Sequence, residues 1–408
     1  MTEIAGAPNV SEIKRLAADE IAGRRESLLA LSHHLHANPE VSWQEHDAAA
    51  RTGELLAAAG FEVEVGAYGL PTAIEAVTGT GDLTVAICAE YDALPGIGHA
   101  CGHNVIAAAG VGAALGLSAV ADRAGLRVKL LGTPAEEHGG GKVAMLAAGA
   151  WEDVDFSLMV HGRAGADLPA GNVHTTAAER FEVEFLGRAA HAAAVPERGL
   201  NAGAAATLAL TAIGLLRQQL PKEVNLNAFV SVGGQATNII PDRAVLQVEV
   251  RAYDLDVWRE AKRALLACFE GAAIALGCQW RWSATEHAYA PLQQDPVLAS
   301  FWDRNMVERG RELTGVEVGG GSTDMGNVSQ VVPSLHPSIA FRGQSAPGHS
   351  LAFAEAARTP AADEAAIDGA VLLAWTTLDA ALDPQVRADL RQRTAARPAG
   401  STRVVLTA

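Results

Sequence analysis

The sequence predicts an α/β fold: a mainly parallel sheet between helices, interrupted by an inserted α+β domain that carries its own antiparallel sheet. Three observations predict it. A β-branched run ("DLTVAIC"), a glycine-rich loop, an apolar helical stretch ("NVIAAAGVGAALGLSAVA") and a second strand-like run ("RVKLLGT") follow one another, the order of parallel strands joined through helical crossovers. Three polar clusters stand directly after such runs: "AEYDALPGIGHACGH" after "LTVAIC", "PAEEHGGGK" after "RVKLLGT", and "HGRAG" after "FSLMV". Open α/β sheets bind ligands at the carboxyl ends of their strands, so this recurrence points to one site. Finally, "AERFEVEFLG" and "RAVLQVEVRAYD" alternate with period two on either side of the helical "GLNAGAAATLALTAIGLLRQQL", as strands of a half-buried antiparallel sheet do.

In chain order, Ile13, Leu16, Ile21, Leu28, Leu29 and Leu35 recur at helical spacing and predict a helix over 10–36. A second helix over 45–59 ends at Gly60, and "FEVEV" then predicts a strand. The period-two pattern delimits an inserted domain over 177–288, so the first domain covers 1–176 and resumes over 289–408. An amphipathic helix over 361–381 closes the fold, and the tail beyond 385, rich in Arg and Ala, is expected to fray.

Composition bounds the function. The chain has 408 residues, 49% hydrophobic and 19% charged, a globular rather than disordered profile. A formal charge of −16 without a run of five like charges disfavours nucleic acid and anionic membranes as partners. The amino terminus carries acids in place of the basic-then-apolar order of an export signal, and no uncharged apolar run reaches spanning length. Cys88, Cys101, Cys268 and Cys278 form no tight framework, which suits a reducing compartment. The expected location is the cytoplasm.

"GIGHACGH" sets His99, Cys101 and His103 within five positions. Taken alone it fits a satisfied glycine-rich turn, or a nucleophilic Cys101 with His103 as its base. The nucleophile reading leaves the paired acids of "AEE" without a task. Metal binding accounts for more, because Cys101, His103, Glu136, Glu137, His161 and His349 stand at several predicted strand ends and loops. Thiolate, imidazole and carboxylate suit zinc, manganese, cobalt or nickel. A hydrolytic metal site needs a Lewis acid and a base that takes and returns a proton, and adjacent glutamates can divide those tasks. His33, His34 and His36 lack an accompanying carboxylate or cysteine cluster and are expected to pack or to face solvent.

The motifs "AEYDALPGIGHACGHN", "GTPAEEHGGGK", "MVHG", "GRAAHAA", "GGQATNIIPDRA" and "APGHS", in this order over nearly the whole chain, resemble the dinuclear-metal aminoacylase and carboxypeptidase family. They are most similar to its cysteine-containing branch of aminobenzoyl-glutamate hydrolases, auxin-conjugate hydrolases and β-alanyl-lysine-type dipeptidases. The resemblance implies that Cys101, His103, Glu137, His161 and His349 hold one or two divalent ions, with Cys101 bridging. It implies Glu136 as general base and Asp92 as the group orienting a ligand. Glu90 stands where many relatives have a metal-binding histidine in a His-x-Asp pattern.

By the same resemblance the inserted domain is a lid and a homodimerisation domain, and His191 holds the oxyanion. Asn238 and Arg251 would meet the carbonyl or carboxylate side of the substrate, although Arg251 equally suits a sheet-holding ion pair with a neighbouring acid. Ser322, Thr323 and Asp324, in the glycine-rich stretch 319–329, are further candidate substrate contacts. The expected activity is hydrolysis of the amide bond of a small N-acyl amino acid, amino-acid conjugate or dipeptide-like substrate. A dipeptidase or carboxypeptidase fits the same residues, and a silent conjugate-binding protein is the rival of another class.

Overall fold

The computed structural model describes residues 9–316 and 319–403; the first eight residues of the amino-terminal reading, and the last five of the tail, lie outside the described residues. In chain order the strands are β1 (Glu62–Val65), β2 (Ile74–Thr78), β3 (Leu83–Glu90), β4 (Leu126–Thr133), β5 (Phe156–Leu158), β6 (His161–Arg163), β7 (Ala177–Leu186), β8 (Asn225–Val232), β9 (Arg243–Ala252), β10 (Gln279–Ala284), β11 (Ser334–Leu335) and β12 (Ser338–Ala340). The chain divides into two compact units, one of residues 175–291 with 320–322, the other of the remaining described residues.

In the larger unit six strands lie in the order β1-β2-β4-β3-β5-β11. β4, β3, β5 and β11 run parallel. β1 and β2 pair antiparallel at one edge; β2 carries no clear period-two signal in the sequence. β12 and β6 form a separate parallel pair. Every residue of β3 is buried, as expected of a strand covered on both faces.

Helix His103–Ser118 is buried almost all round because it is made of small residues. A Cβ on Gly110 would lie 2.9 Å from the Cys88 carbonyl oxygen, and one on Gly112 would lie 2.8 Å from Ala370 Cβ. Glycine therefore sets how closely this helix meets β3 and helix Pro360–Leu382. That last helix has the length and hydropathy to cross a membrane, but 89% of its apolar window is buried inside the unit, which makes it a core helix.

Two expectations are corrected. The predicted helix over 10–36 is broken at Arg24 into Val10–Gly23 and Arg25–Ala37. Beyond residue 385 the chain is not frayed over 384–396 but helical: Asp383 caps it by accepting from Gln385 N and Val386 N. Leu390 there is buried, and Arg387 donates to the Ala124, Ala381 and Gly125 carbonyls.

The smaller unit is a four-stranded antiparallel sheet, β10-β7-β9-β8, covered by helices Ala202–Leu216 and Leu255–Leu276. Phe181, Val183, Phe185, Leu246, Val250, Trp258 and Phe269 fill its core. Residues 320–322 join it through backbone bonding that no sequence pattern announces: Thr176 N donates to the Gly321 carbonyl at 2.8 Å.

Candidate metal centre

The parallel order β4-β3-β5-β11 sets four strand ends side by side, at Thr133, Glu90, Leu158 and Leu335. Each runs into a segment bearing site residues: Glu136 and Glu137, then Asp92, Cys101 and His103, then His161, and finally His336. Backbone strain helps aim them. Ala135, just before the two glutamates, has φ 55°, and His349 has φ 58°; left-handed backbone at non-glycine residues costs on the order of 1 kcal/mol and persists where its surroundings enforce it. Ala135 N donates to Glu45 Oε1 at 2.8 Å, and His349 N to the Ala100 carbonyl at 2.8 Å.

All five sequence-predicted ligands converge. Cys101, His103 and His161 form one group and Cys101, Glu137 and His349 a second, with one ligand atom from each residue and all atoms of a group within 4.8 Å of one another. Cys101 Sγ lies 3.5 Å from His161 Nε2 and 3.4 Å from His349 Nε2. Metal bonds of about 2.3 Å to sulfur and 2.0 Å to nitrogen, opened to a tetrahedral angle, put S and N about 3.6 Å apart. The observed spacings fit donors that share an ion.

The imidazoles present the correct nitrogen. His103 Nδ1 lies 3.0 Å from Asp92 Oδ1, and His161 Nδ1 lies 2.7 Å from the Gly162 carbonyl. Both partners only accept, so each Nδ1 carries a proton and each Nε2 turns its lone pair toward Cys101. Asp92 is itself held by Ser42 Oγ at 2.8 Å and by Glu137 N at 3.0 Å. Burial would raise its pKa, but His103 and these donors outweigh it and hold the carboxyl at about 2.

Charge around the ligands is unbalanced in a way a cation would relieve. His103 Nε2, Glu137 Oε1 and Glu90 Oε2 are buried without a hydrogen-bond partner among the described residues, a costly state for polar atoms. Burial would lower the His103 pKa, yet Asp92, Cys101 and Glu90 lift it well above the usual value, a surplus of negative charge that a cation facing Nε2 would offset. Burial also pushes the Cys101 thiol up, with Glu137 adding to the effect; a bound cation reverses that and stabilises the thiolate. The donor set fits one or two divalent ions.

Glu136 is 8% exposed, with Oε2 3.9 Å from His103 Nε2. Burial and the charges of Glu90, Glu137 and Asp324 push its carboxyl well above the usual range, a setting suited to holding and releasing a proton. Three buried groups that the predicted ligand set omits stand near the ligands. Glu90 and Lys142 form an ion pair, and Lys142 Nζ lies 2.7 Å from Asp324 Oδ1. His336 has neither ring nitrogen partnered among the described residues, its ring is 5.8 Å from that of His161, and burial holds its pKa at about 3.

The remaining predicted residues are placed as follows. Asp324 is fully buried, and its two oxygens accept from Lys142 Nζ and Lys142 N, so it is engaged by the lysine rather than presented to a substrate. Thr323 is buried and its Oγ1 accepts from Met325 N at 3.2 Å. In the smaller unit, His191 is exposed and its Nδ1 accepts from Ala193 N and Ala194 N. Asn238 is exposed, and its backbone carbonyl accepts from Ala192 N. Arg251 pairs with Glu249 at 2.8 Å and reaches the Gly320 carbonyl at 3.3 Å and Ser322 Oγ at 3.5 Å. His33, His34 and His36 have local partners in Asp363, Asp47 and the Ala354 carbonyl.

The family model for Peptidase family M20/M25/M40 matches residues 86–370. The chain belongs to that family. As an M20 member it is a hydrolase of peptide or amide bonds. It is 37% identical over 403 residues to an Xaa-Arg dipeptidase of Mus musculus, covering 93% of this chain and 91% of the relative. It is 29% identical over 285 residues to one of the p-aminobenzoyl-glutamate hydrolase chains of Escherichia coli, covering 65% of this chain and 59% of the relative. Among solved structures, a dinuclear metal-binding M20 peptidase of Bacillus subtilis superposes with a TM-score of 0.66 at 22% identity, covering 88% of this chain and 99% of that one. This M20 fold is thus shared at low sequence identity.

Proposed function

We propose that this M20 hydrolase uses one or two divalent ions, of zinc, manganese, cobalt or nickel, to cleave the amide bond of an N-acyl amino acid, amino-acid conjugate or dipeptide-like substrate. The observation that carries the proposal is the sharing of Cys101 Sγ by two ligand groups, Cys101/His103/His161 and Cys101/Glu137/His349. A bound divalent ion supplies Lewis acidity to the carbonyl and to the attacking water. The chain's own residues supply the rest.

Asp92 and the Gly162 carbonyl lock His103 and His161 with Nε2 forward. Glu136 takes a proton from the attacking water as the new C–O bond forms, then delivers it to the departing nitrogen as the C–N bond breaks. That returns its carboxylate and leaves a carboxylic acid and an amine. His191, its ring fixed through Nδ1, is assigned as oxyanion donor. Arg251, Asn238, Ser322 and Thr323 are assigned to the carboxylate side of the substrate.

The mouse relative's name favours dipeptides with a carboxy-terminal arginine as the first substrates to try. A homodimer through the smaller unit is supported by its edge strand β8, where Phe229 is 62% exposed beside the exposed Val230 and Val232. The deciding experiment is a panel of dipeptides and N-acyl amino acids with the purified protein, repeated after chelation and after metal return. Chelator-sensitive hydrolysis restored by metal supports the proposal. Activity that survives chelation but falls to thiol alkylation would instead make Cys101 a nucleophile, and tight substrate binding without turnover would indicate a binding protein.

A further inference from the structure

We propose that Lys142 is an internal cation that keeps Glu90 out of the metal centre, confining the ions to the two ligand groups that meet at Cys101. The His103 imidazole is contested. Its Nε2 belongs to the group with Cys101 and His161, and equally to a third group with Glu90 and Glu136. Glu90 Oε2 lies 3.5 Å from that nitrogen and has no hydrogen-bond partner among the described residues. One imidazole nitrogen has one lone pair, so an ion held by Glu90 and Glu136 through His103 competes with an ion held through Cys101.

Lys142 decides the competition by occupying the other side of Glu90. Its side chain is 0% exposed; Nζ bonds Glu90 Oε1 and Asp324 Oδ1, and its backbone N–H donates to Asp324 Oδ2 at 2.8 Å. The ammonium is thereby anchored by a carboxylate that takes both its ends. The backbone is bent to bring it there: a Cβ at Gly141 would lie 1.8 Å from the Pro134 carbonyl oxygen, so only glycine permits this close turn. Removing the ammonium leaves the buried Glu90 and Asp324 beside Glu136 without a neutralising cation, although the backbone N–H of residue 142 still meets Asp324 Oδ2, an arrangement that draws in a divalent cation as its compact counter-charge.

This inference rests on the reading of Cys101 as an ion-bridging thiolate, and cobalt substitution separates the two. Wild-type protein loaded with cobalt should show a thiolate-to-cobalt charge-transfer band, and its absence would sink the bridging reading itself. In Lys142→Met the band per bound cobalt should fall by about a third or more, because an added ion away from sulfur dilutes it and an ion drawn off to Glu90 removes it. The double variant Lys142→Met/Glu90→Gln should restore the wild-type band.

Folded Lys142→Met with an unchanged band per cobalt would overturn the proposal. Should that variant not fold, Glu90→Gln alone still decides: it keeps an oxygen for Lys142, so its metal-to-protein ratio and band should match wild type. Loss of an ion in Glu90→Gln would show that Glu90 is a ligand and would refute the role given to Lys142.

Discussion

Replacing Asp92 by asparagine should damage metal binding without touching a ligand. Asp92 Oδ2 accepts from two donors, Ser42 Oγ and Glu137 N, while Oδ1 faces His103 Nδ1. An asparagine keeps its single oxygen where two donors need it, which turns the amide NH2 toward His103. An amide donor stabilises the imidazole with its lone pair on Nδ1 and its proton on Nε2, the nitrogen that must face the ion. Loss of such a supporting carboxylate typically lowers metal affinity 10- to 100-fold, about 1.4 to 2.7 kcal/mol at 1.36 kcal/mol per decade. Competition against a chromophoric chelator measures this directly, with circular dichroism confirming the fold. A folded Asp92→Asn protein whose affinity stays within about twofold of wild type would refute the tautomer reasoning.

Glu136→Gln should retain the ions, by elemental analysis, while kcat falls by about 10²- to 10⁴-fold; substantial retained turnover would remove Glu136 as base. Arg311 is 2% exposed and bonds Asp167 through Nη1, Asp368 through Nε and the Ala340 carbonyl. Its replacement by alanine strands the buried Asp167, while Asp368 keeps Arg309, and should cost about 3 kcal/mol in denaturant unfolding; a loss under about 1 kcal/mol would contradict the buried-pair assignment. Burial would raise the Asp153 pKa, but Lys129 and Arg127 outweigh it and lower the value. The stability Asp153 adds is therefore present above the ordinary aspartate range and lost as pH falls through its lowered folded value. Asp153→Asn should accordingly narrow the gap in Tm between about pH 6 and pH 3, and an unchanged gap would count against it.

The α/β class was legible because a strand, a helix of small residues and a second strand follow one another around a glycine-rich loop; a candidate metal cluster was legible because thiolate, imidazole and carboxylate recur near strand ends, while the choice of the five proposed ligands came from the family resemblance. What escaped was tertiary. Lys142 stands in the quoted "PAEEHGGGK", yet a lysine is normally solvated, and only the packing of 134–142 shows this one fully buried. Asp324 carries the same surface signal as a substrate contact, and only the fold shows Lys142 occupying it. His336 sits between the two-residue β11 and the three-residue β12, strands too short to carry a period, so nothing marked it as the neighbour of His161. Residues 320–322 join the smaller unit largely through their backbone carbonyls, which accept from Thr176 and Arg251 and leave no trace in side-chain patterning.

The most direct test is anomalous diffraction at the absorption edge of the metal found in active protein. Ions on either side of Cys101 Sγ are expected, each within about 2.3 Å of it, one reached by His103 and His161 and the other by Glu137 and His349. Fully active crystals with no anomalous peak at Cys101, or with the ion bound elsewhere, would contradict the central claim that this sulfur joins two ligand groups into one hydrolytic centre.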